Sequence, residues 1–307
     1  MNIWRINCKP RGQILTQKDQ FNFWLENGFV GIGWSSAEGF DKGFRENSLS
    51  KNQVKDIKDY IFQMCRKEGW KTQSFSTASN IFVDRMEIGD FIWVRCGNTY
   101  KLGKIVSECL YNFNSEIFND DYQIGFYRKV EYLDRDFSES EVPGKIIASY
   151  RTRSTVQIVY DYKDMIATYC KACFTEKNIK IPINNWNYFL HSDDIEEIIG
   201  LYLQIDKKLY VYTSTNKSST AEIEFELVDI NGNHFGVQVK SGETSLDAKN
   251  FEEISKCMKV YLFAANNDVK NIDTNNTNIE KIEVSDVTDF LKKYFSILPG
   301  RIKCWFV

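Results

Sequence analysis

The stretch from Glu222 to Gly242, EIEFELVDINGNHFGVQVKSG, constrains what this chain can fold into more than any other. Glu222, Glu224 and Glu226 alternate with Ile223, Phe225 and Leu227, and residues two apart on a strand share a face. Asn231-Gly232-Asn233 then supplies residues that tolerate positive φ, as a tight hairpin turn requires. The return run, His234 to Lys240, puts Gln238 and Lys240 on one face by the same parity. Such a hairpin gathers a carboxylate, an amide oxygen and an ammonium at one spot.

These groups suit metal-assisted hydrolysis of a phosphodiester. A carboxylate holds Mg2+ through oxygen ligands, the ion polarises the phosphoryl group and activates water, and a lysine orients that water or stabilises developing charge. The same alternation describes a plain edge hairpin with solvated charges, and spacing alone leaves that reading open. Two details favour a site. Val237-Gln238-Val239-Lys240 sets polar groups between β-branched residues, and an amphipathic helix and another strand stand immediately upstream.

The segment resembles the P-D-(D/E)-x-K nuclease superfamily, in the branch related to Mrr-type restriction endonucleases, whose last motif is often Q-x-K. Gln238 and Lys240 match Q-x-K, and Glu224 takes the place of the acid on the preceding strand, with Glu226 the fallback of equal parity. The resemblance spans residues 193 to 263. It implies Mg2+ held by Glu224, Gln238 and the carbonyl of Val239, with Lys240 positioning the attacking water. It further implies an acid on the first helix aimed at the metal, and Glu196 fits better than Glu197. Helix-dipole compensation accounts for two acids in a first turn equally well. The chain departs from the wider pattern with Glu for the usual Asp and Gln for the usual acid, which leaves less negative charge for the metal.

At 307 residues the chain has room for two domains. No run of about 18 apolar residues and no charged-then-apolar leader is present, which reads as a soluble, cytoplasmic protein with no membrane partner. Net charge is −3 with a pI near 5.7, which argues against tight non-specific binding to DNA and leaves any contact to local patches. The 8 cysteines follow no framework pattern and read as reduced. Cys170-Lys171-Ala172-Cys173 is a lone CxxC in a chain with 2 histidines, too few ligands for structural zinc.

Along the first half, strands are expected at Asn2–Cys8, Phe29–Trp34, Phe91–Arg95, Lys101–Glu108, Gly125–Leu133 and Thr155–Tyr160. Helices are expected at Phe21–Glu26, Asn52–Glu68 and Asp164–Phe174, and a helix or turn at Thr77–Arg85. This is a small, strongly curved, mostly β domain. It resembles the EVE/PUA-like superfamily through Gly89-Asp90-Phe91-Ile92-Trp93-Val94, Leu102-Gly103-Lys104-Ile105-Val106, Tyr127-Arg128-Lys129-Val130 and Gly31-Ile32-Gly33-Trp34. Such domains hold a base, commonly a modified and flipped one, in an aromatic pocket. The resemblance points to Trp34, Ser35 and Trp93 for the pocket and to Arg95 and Lys104 for phosphates. Arg151 and Arg153, the clearest basic spot nearby, are further candidates for phosphate contact. Burial in a core is the commoner outcome for a tryptophan in an apolar run.

In the second half a helix opens near Asp193, strands follow at Leu209–Tyr212 and in the hairpin, and a helix is expected at Leu246–Met258. A buried strand at Val260–Ala264, a surface loop at Asn266–Asn278 and a closing helix at Val287–Phe295 complete an αβββαβ order. The tail Ile302–Val307 is apolar enough to require packing. The expectation is thus an α+β, two-domain chain: residues 1–161 an EVE/PUA-like reader, 162–188 a connecting helix and linker, 189–307 a nuclease-like domain. The implied work is modification-dependent, type IV-like cleavage of DNA in anti-phage defence; whether the chain pairs as a homodimer to cut both strands stays open. Two other readings stay open: an inactive nuclease fold serving as a nucleic-acid-binding or sensor protein, and an RNA-directed nuclease.

Overall fold

A computed structural model describes residues 1–8, 15–34, 50–112, 124–161, 164–175, 181–212 and 223–306. The fold is mixed α+β, and the chain divides into two compact units, Met1–Val142 with Ile146–Asn178 and Pro143–Lys145 with Ile179–Val307.

The first unit holds β1 (Ile3–Asn7), α1 (Gln17–Asn27), β2 (Phe29–Ile32), α2 (Lys51–Lys67), α3 (Thr72–Ser79), β3 (Phe91–Cys96), β4 (Thr99–Ile105), β5 (Leu110–Tyr111) and β6 (Phe126–Tyr132). After α4 (Gly144–Ser149) come β7 (Val156–Val159) and α5 (Met165–Phe174). Local chemistry starts the helices. Thr16 with Asp19, and Ser50 with Gln53, form reciprocal capping boxes, and Gly28 ends α1 at φ 63°. The strands make one curled sheet in the order β2-β6-β4-β3-β1-β7, with β5 beside β6. β1 runs parallel to β3, which sets Arg5 beside Trp93.

Alternation gives this sheet two buried faces. Trp4, Ile6, Ile92 and Val94 join Trp24 of α1, Ile57 of α2 and Phe75 of α3 in one core. On the other face Phe91 stacks on Phe174 of α5 and Trp93 meets Phe137 edge-on. The corner before β3 is tied by Asp90, which is 2% exposed. Its carboxylate accepts from Asn2 N (2.7 Å), Trp4 Nε1 (2.7 Å) and Glu87 N (3.1 Å), and Gly89 makes the turn at φ 96°. The helix or turn expected at 77–85 is the end of α3 and a π-helical turn, Asn80–Arg85. Buried Arg128 donates to the carbonyls of Phe82 (2.8 Å) and Val83 (3.2 Å), which supplies donors to that wider turn, and to the carbonyl of Ser107 (3.1 Å).

The second unit holds α6 (Trp186–Phe189), α7 (Ser192–Asp206), β8 (Tyr210–Val211), β9 (Phe225–Val228), β10 (His234–Lys240), β11 (Leu246–Asp247), α8 (Glu252–Ser255), β12 (Lys259–Ala264), β13 (Val269–Lys270), β14 (Ile279–Lys281), α9 (Val284–Lys293) and α10 (Gly300–Lys303). Its sheet runs β14-β12-β10-β9-β8, with β10, β12 and β14 parallel and β9 antiparallel to both neighbours. The helix expected at 246–258 forms only in part. Leu246 and Asp247 pair with Val269 and Lys270, inside the segment expected to be loop. Asp247 then accepts from Lys249 N (3.1 Å) and Asn271 Nδ2 (2.9 Å), a local bond that starts a 3-10 turn and leaves one turn of α8. The tail packs as expected: Trp305 meets Phe189 at 4.8 Å and Phe306 bridges Ile181. Among the described residues no helix is long and apolar enough to cross a membrane.

Candidate functional site

The hairpin turn is held by Asp229, whose carboxylate accepts from Asn233 Nδ2 (2.8 Å), Asn233 N (2.9 Å) and Asn231 N (2.8 Å), with Gly232 at φ 83°. These bonds pull the Asp229 carboxyl below its ordinary range, the Asn233 side chain foremost. The turn fixes the register: Phe225 pairs with Val237 and Glu226 with Gly236, and Glu224 N donates to Val237 O at 2.7 Å. Glu224 therefore stands opposite Gln238, and Lys240 lies one same-face step beyond.

Phe225 and Val237 take the apolar face of this sheet, where α7 packs so that a Cβ added at Gly200 would stand 3.8 Å from the Phe225 ring. Glu224, Gln238 and Lys240 take the other. Gln238 Nε2 donates to Glu224 Oε1 at 2.8 Å, and Lys240 Nζ reaches the same oxygen at 3.4 Å. Gln238 is 6% exposed, while the Glu224 and Lys240 side chains keep 27% and 39%, so the cluster has an inner wall and an open side. The Val239 carbonyl accepts from Gln238 Nε2 at 3.4 Å. Among the described residues, Glu224 Oε2 and Gln238 Oε1 take no hydrogen bond, which leaves two oxygens for a hard cation. No group of three or more His, Cys, Asp or Glu side chains suited to a metal occurs among the described residues.

The other acids are placed differently. Glu226 shares the face but approaches His234 Nδ1 (3.9 Å), and Glu222 lies outside the described residues. Glu196 is half-buried on α7, the helix over the opposite, apolar face. Its neighbour Glu197 pairs with Arg301, which also bonds Asp194 at 2.9 Å.

In the first unit the two tryptophans do not share a pocket. Trp93 is fully buried against Phe137, so it has no face to offer a base. Its strand neighbours Ile92 and Val94 turn to the opposite core, the one in which Trp34 meets Phe75 at 5.0 Å. Trp34 is half-buried at φ 69°, and its carbonyl accepts from the Tyr111 hydroxyl at 3.2 Å. Ser35 lies outside the described residues. Arg95 is engaged locally, donating to Gly97 O (2.7 Å) and lying over the rings of Tyr100 and Tyr150. Lys104 is half-buried opposite Phe91, and Arg151 and Arg153 are exposed. Burial raises the Cys170 thiol well above its ordinary value, which suits a core residue better than a zinc thiolate.

The residue missed in the sequence is Arg5. It is fully buried and donates to Thr152 Oγ1, Ser154 O and Gln157 Oε1 (the last at 2.7 Å), holding the turn that carries Arg151 and Arg153. The available signal was a lone charge between Trp4 and Ile6.

No family model and no curated protein matches the chain. Among solved structures it is similar to one described as an EndoMS–dsDNA2 complex, at 10% identity and a TM-score of 0.22, over 63% of this chain and 64% of that one. The chain thus spans less than two thirds of that protein's length, and a TM-score this low does not establish a shared fold.

Proposed function

We propose that the second unit is a Mg2+-dependent nuclease of the P-D-(D/E)-x-K type that hydrolyses DNA. In this reading the first unit is an EVE/PUA-like reader of a modified base, and the whole chain is a type IV-like restriction enzyme of anti-phage defence. One observation carries the proposal: Gln238 Nε2 and Lys240 Nζ converge on a single oxygen of Glu224, on the open side of the sheet. The donor set fits a hard cation, because Glu224 Oε2, Gln238 Oε1 and the Val239 carbonyl are oxygen ligands within one turn of the register. A bound Mg2+ would neutralise charge on the phosphoryl group and acidify a water. Lys240 would hold that water through an ammonium N–H and balance charge on the phosphoryl oxygens. Gln238, nearly buried, fixes the Glu224 carboxylate so that the site does not reorganise as charge develops. The reader's pocket would centre on Trp34, since Trp93 belongs to the core.

The single carboxylate in the cluster favours a second reading, a nucleic-acid-binding protein on an inactive nuclease fold. One assay separates them: Mg2+-dependent cleavage of modified duplex, unmodified duplex and structured RNA by the native chain and by Lys240→Ala. The nuclease reading expects native cleavage of modified duplex and a loss of about 100-fold or more in the variant. Binding with no cleavage of any substrate would select the second reading, and cleavage confined to RNA would redirect the first.

A further inference from the structure

Arg5 is a guanidinium with no exposed surface and, among the described residues, no carboxylate partner. A buried charge is costly unless paired, and here its acceptors are neutral: Thr152 Oγ1, Ser154 O and Gln157 Oε1. Its Nε, also buried, has no hydrogen-bond partner among the described residues. Burial lowers its pKa, an opposing effect coming from Tyr150. The side chain lies 5.5 Å from the centre of the Tyr150 ring, and Arg95 lies 5.7 Å from the same centre.

The turn above Arg5 is tied down at several points. Asn7 Nδ2 donates to Ser154 O (2.8 Å), Thr152 Oγ1 bonds Ser149 O (3.1 Å) and Gln157 Oε1 (2.7 Å), and Ser154 Oγ bonds Val156 O (2.6 Å). An exposed turn would ordinarily be among the most mobile parts of a domain. This one is fastened to β1 and β7, and it carries Arg151 and Arg153 on its exposed side. A fixed cationic turn over an uncompensated buried cation suits an anion whose oxygens match guanidinium geometry.

We propose that residues 150–154 form a phosphate clamp for a nucleic-acid backbone, with Arg151 and Arg153 making the contacts and Arg5 acting as a positioning residue beneath them. The inference rests on the reading of the first unit as a nucleic-acid reader and adds where, and through which groups, the backbone is held. Its energetics are ionic, so they register in the salt dependence of binding, a quantity that a merely structural role would leave unchanged.

The test is fluorescence anisotropy of the full-length chain with a labelled 20-mer, single-stranded and duplex, in EDTA across 50–300 mM KCl. The doubly substituted Arg151→Ala, Arg153→Ala protein should lower the slope of log K against log salt by about 1.4 on single strands and about 1.8 on duplex. Thr152→Val keeps every charge and removes one anchor of the turn, and it should weaken binding by about 3- to 10-fold. An unchanged slope in the double variant, or no binding by the native chain, overturns the clamp. Cleavage in Mg2+ is read separately. A slope that falls as expected in a chain that never cuts leaves the clamp standing and removes the hydrolysis. Cutting with an unchanged slope does the reverse.

Discussion

Replacing Asp90 by alanine tests whether the Gly89-Asp90 pair is architecture or binding surface. Three short bonds converge on this carboxylate, from Asn2 N, Trp4 Nε1 and Glu87 N, with Asn2 Nδ2 a longer fourth at 3.4 Å, and the side chain is 2% exposed, so water cannot replace it without local opening. Each hydrogen bond to a charged group contributes about 1.5–3 kcal/mol, but the three share one acceptor group and do not add fully. The expected loss is about 3–5 kcal/mol, the upper range for single substitutions. Asparagine should recover part of it. Its one oxygen can serve Trp4 Nε1 and Glu87 N, which share Oδ2, while its NH2 then faces the Asn2 N–H. For a unit of this size 1 kcal/mol moves the midpoint by about 2–4 °C, so alanine should lower it by roughly 6–20 °C and asparagine by less. Scanning calorimetry of the full chain is the assay, because Trp186 and Trp305 of the second unit would blur a fluorescence melt. A shift below about 3 °C for Asp90→Ala would refute the reasoning and return the pair to the surface as a binding motif.

Two further outcomes follow from the same accounting. Arg128→Lys should destabilise the first unit nearly as much as Arg128→Met, by about 3 kcal/mol in urea titrations, because one ammonium cannot serve the carbonyls of Phe82, Val83 and Ser107 together. Asp229, held below its ordinary value by Asn233 and Asn231, stabilises the hairpin above the unfolded-state pKa. That contribution should vanish as pH falls through the lowered folded-state value. Amide protection in β9 and β10, measured against the intrinsic exchange rate at each pH, should therefore fall on acidification in the native chain, and Asp229→Asn should show much less of this pH dependence.

What the sequence made legible is what short-range physics decides. The β9–β10 hairpin could be read because alternation, turn residues and parity all act within 20 residues, and its partners meet as the register requires. The burial of Trp93 could not, because what covers it, Phe137, lies 44 positions away. A helix at 246–258 had the right apolar spacing, yet Asp247 takes a local bond from Lys249 N and its strand finds Val269 across the next loop. Arg5 and Arg128 escaped for a related reason. A charged residue in an apolar strand announces that something must satisfy it, but not which carbonyls, and in both cases the acceptors come from distant segments.

The energetics of the hairpin cluster bear on why it should be a site. Lys240 and Glu224 lie 3.4 Å apart with 39% and 27% of their side chains exposed, so solvent screens the pair to about 0.2–1 kcal/mol. Against that stand a nearly buried Gln238 whose amide oxygen has no partner among the described residues, and two long side chains held in one place. Cross-strand threonine or valine pairs would serve the sheet as well, without desolvating an amide. The neighbouring strand on the same face shows the contrast, since Val260, Leu262 and Ala264 pack into an apolar cluster with Phe251 and Ile279. The sheet is therefore apolar where it is covered and polar where β9 meets β10. Folding gains little from that polar patch, and a ligand bringing its own positive charge to Glu224 Oε2 and Gln238 Oε1 would supply the interaction the isolated chain lacks.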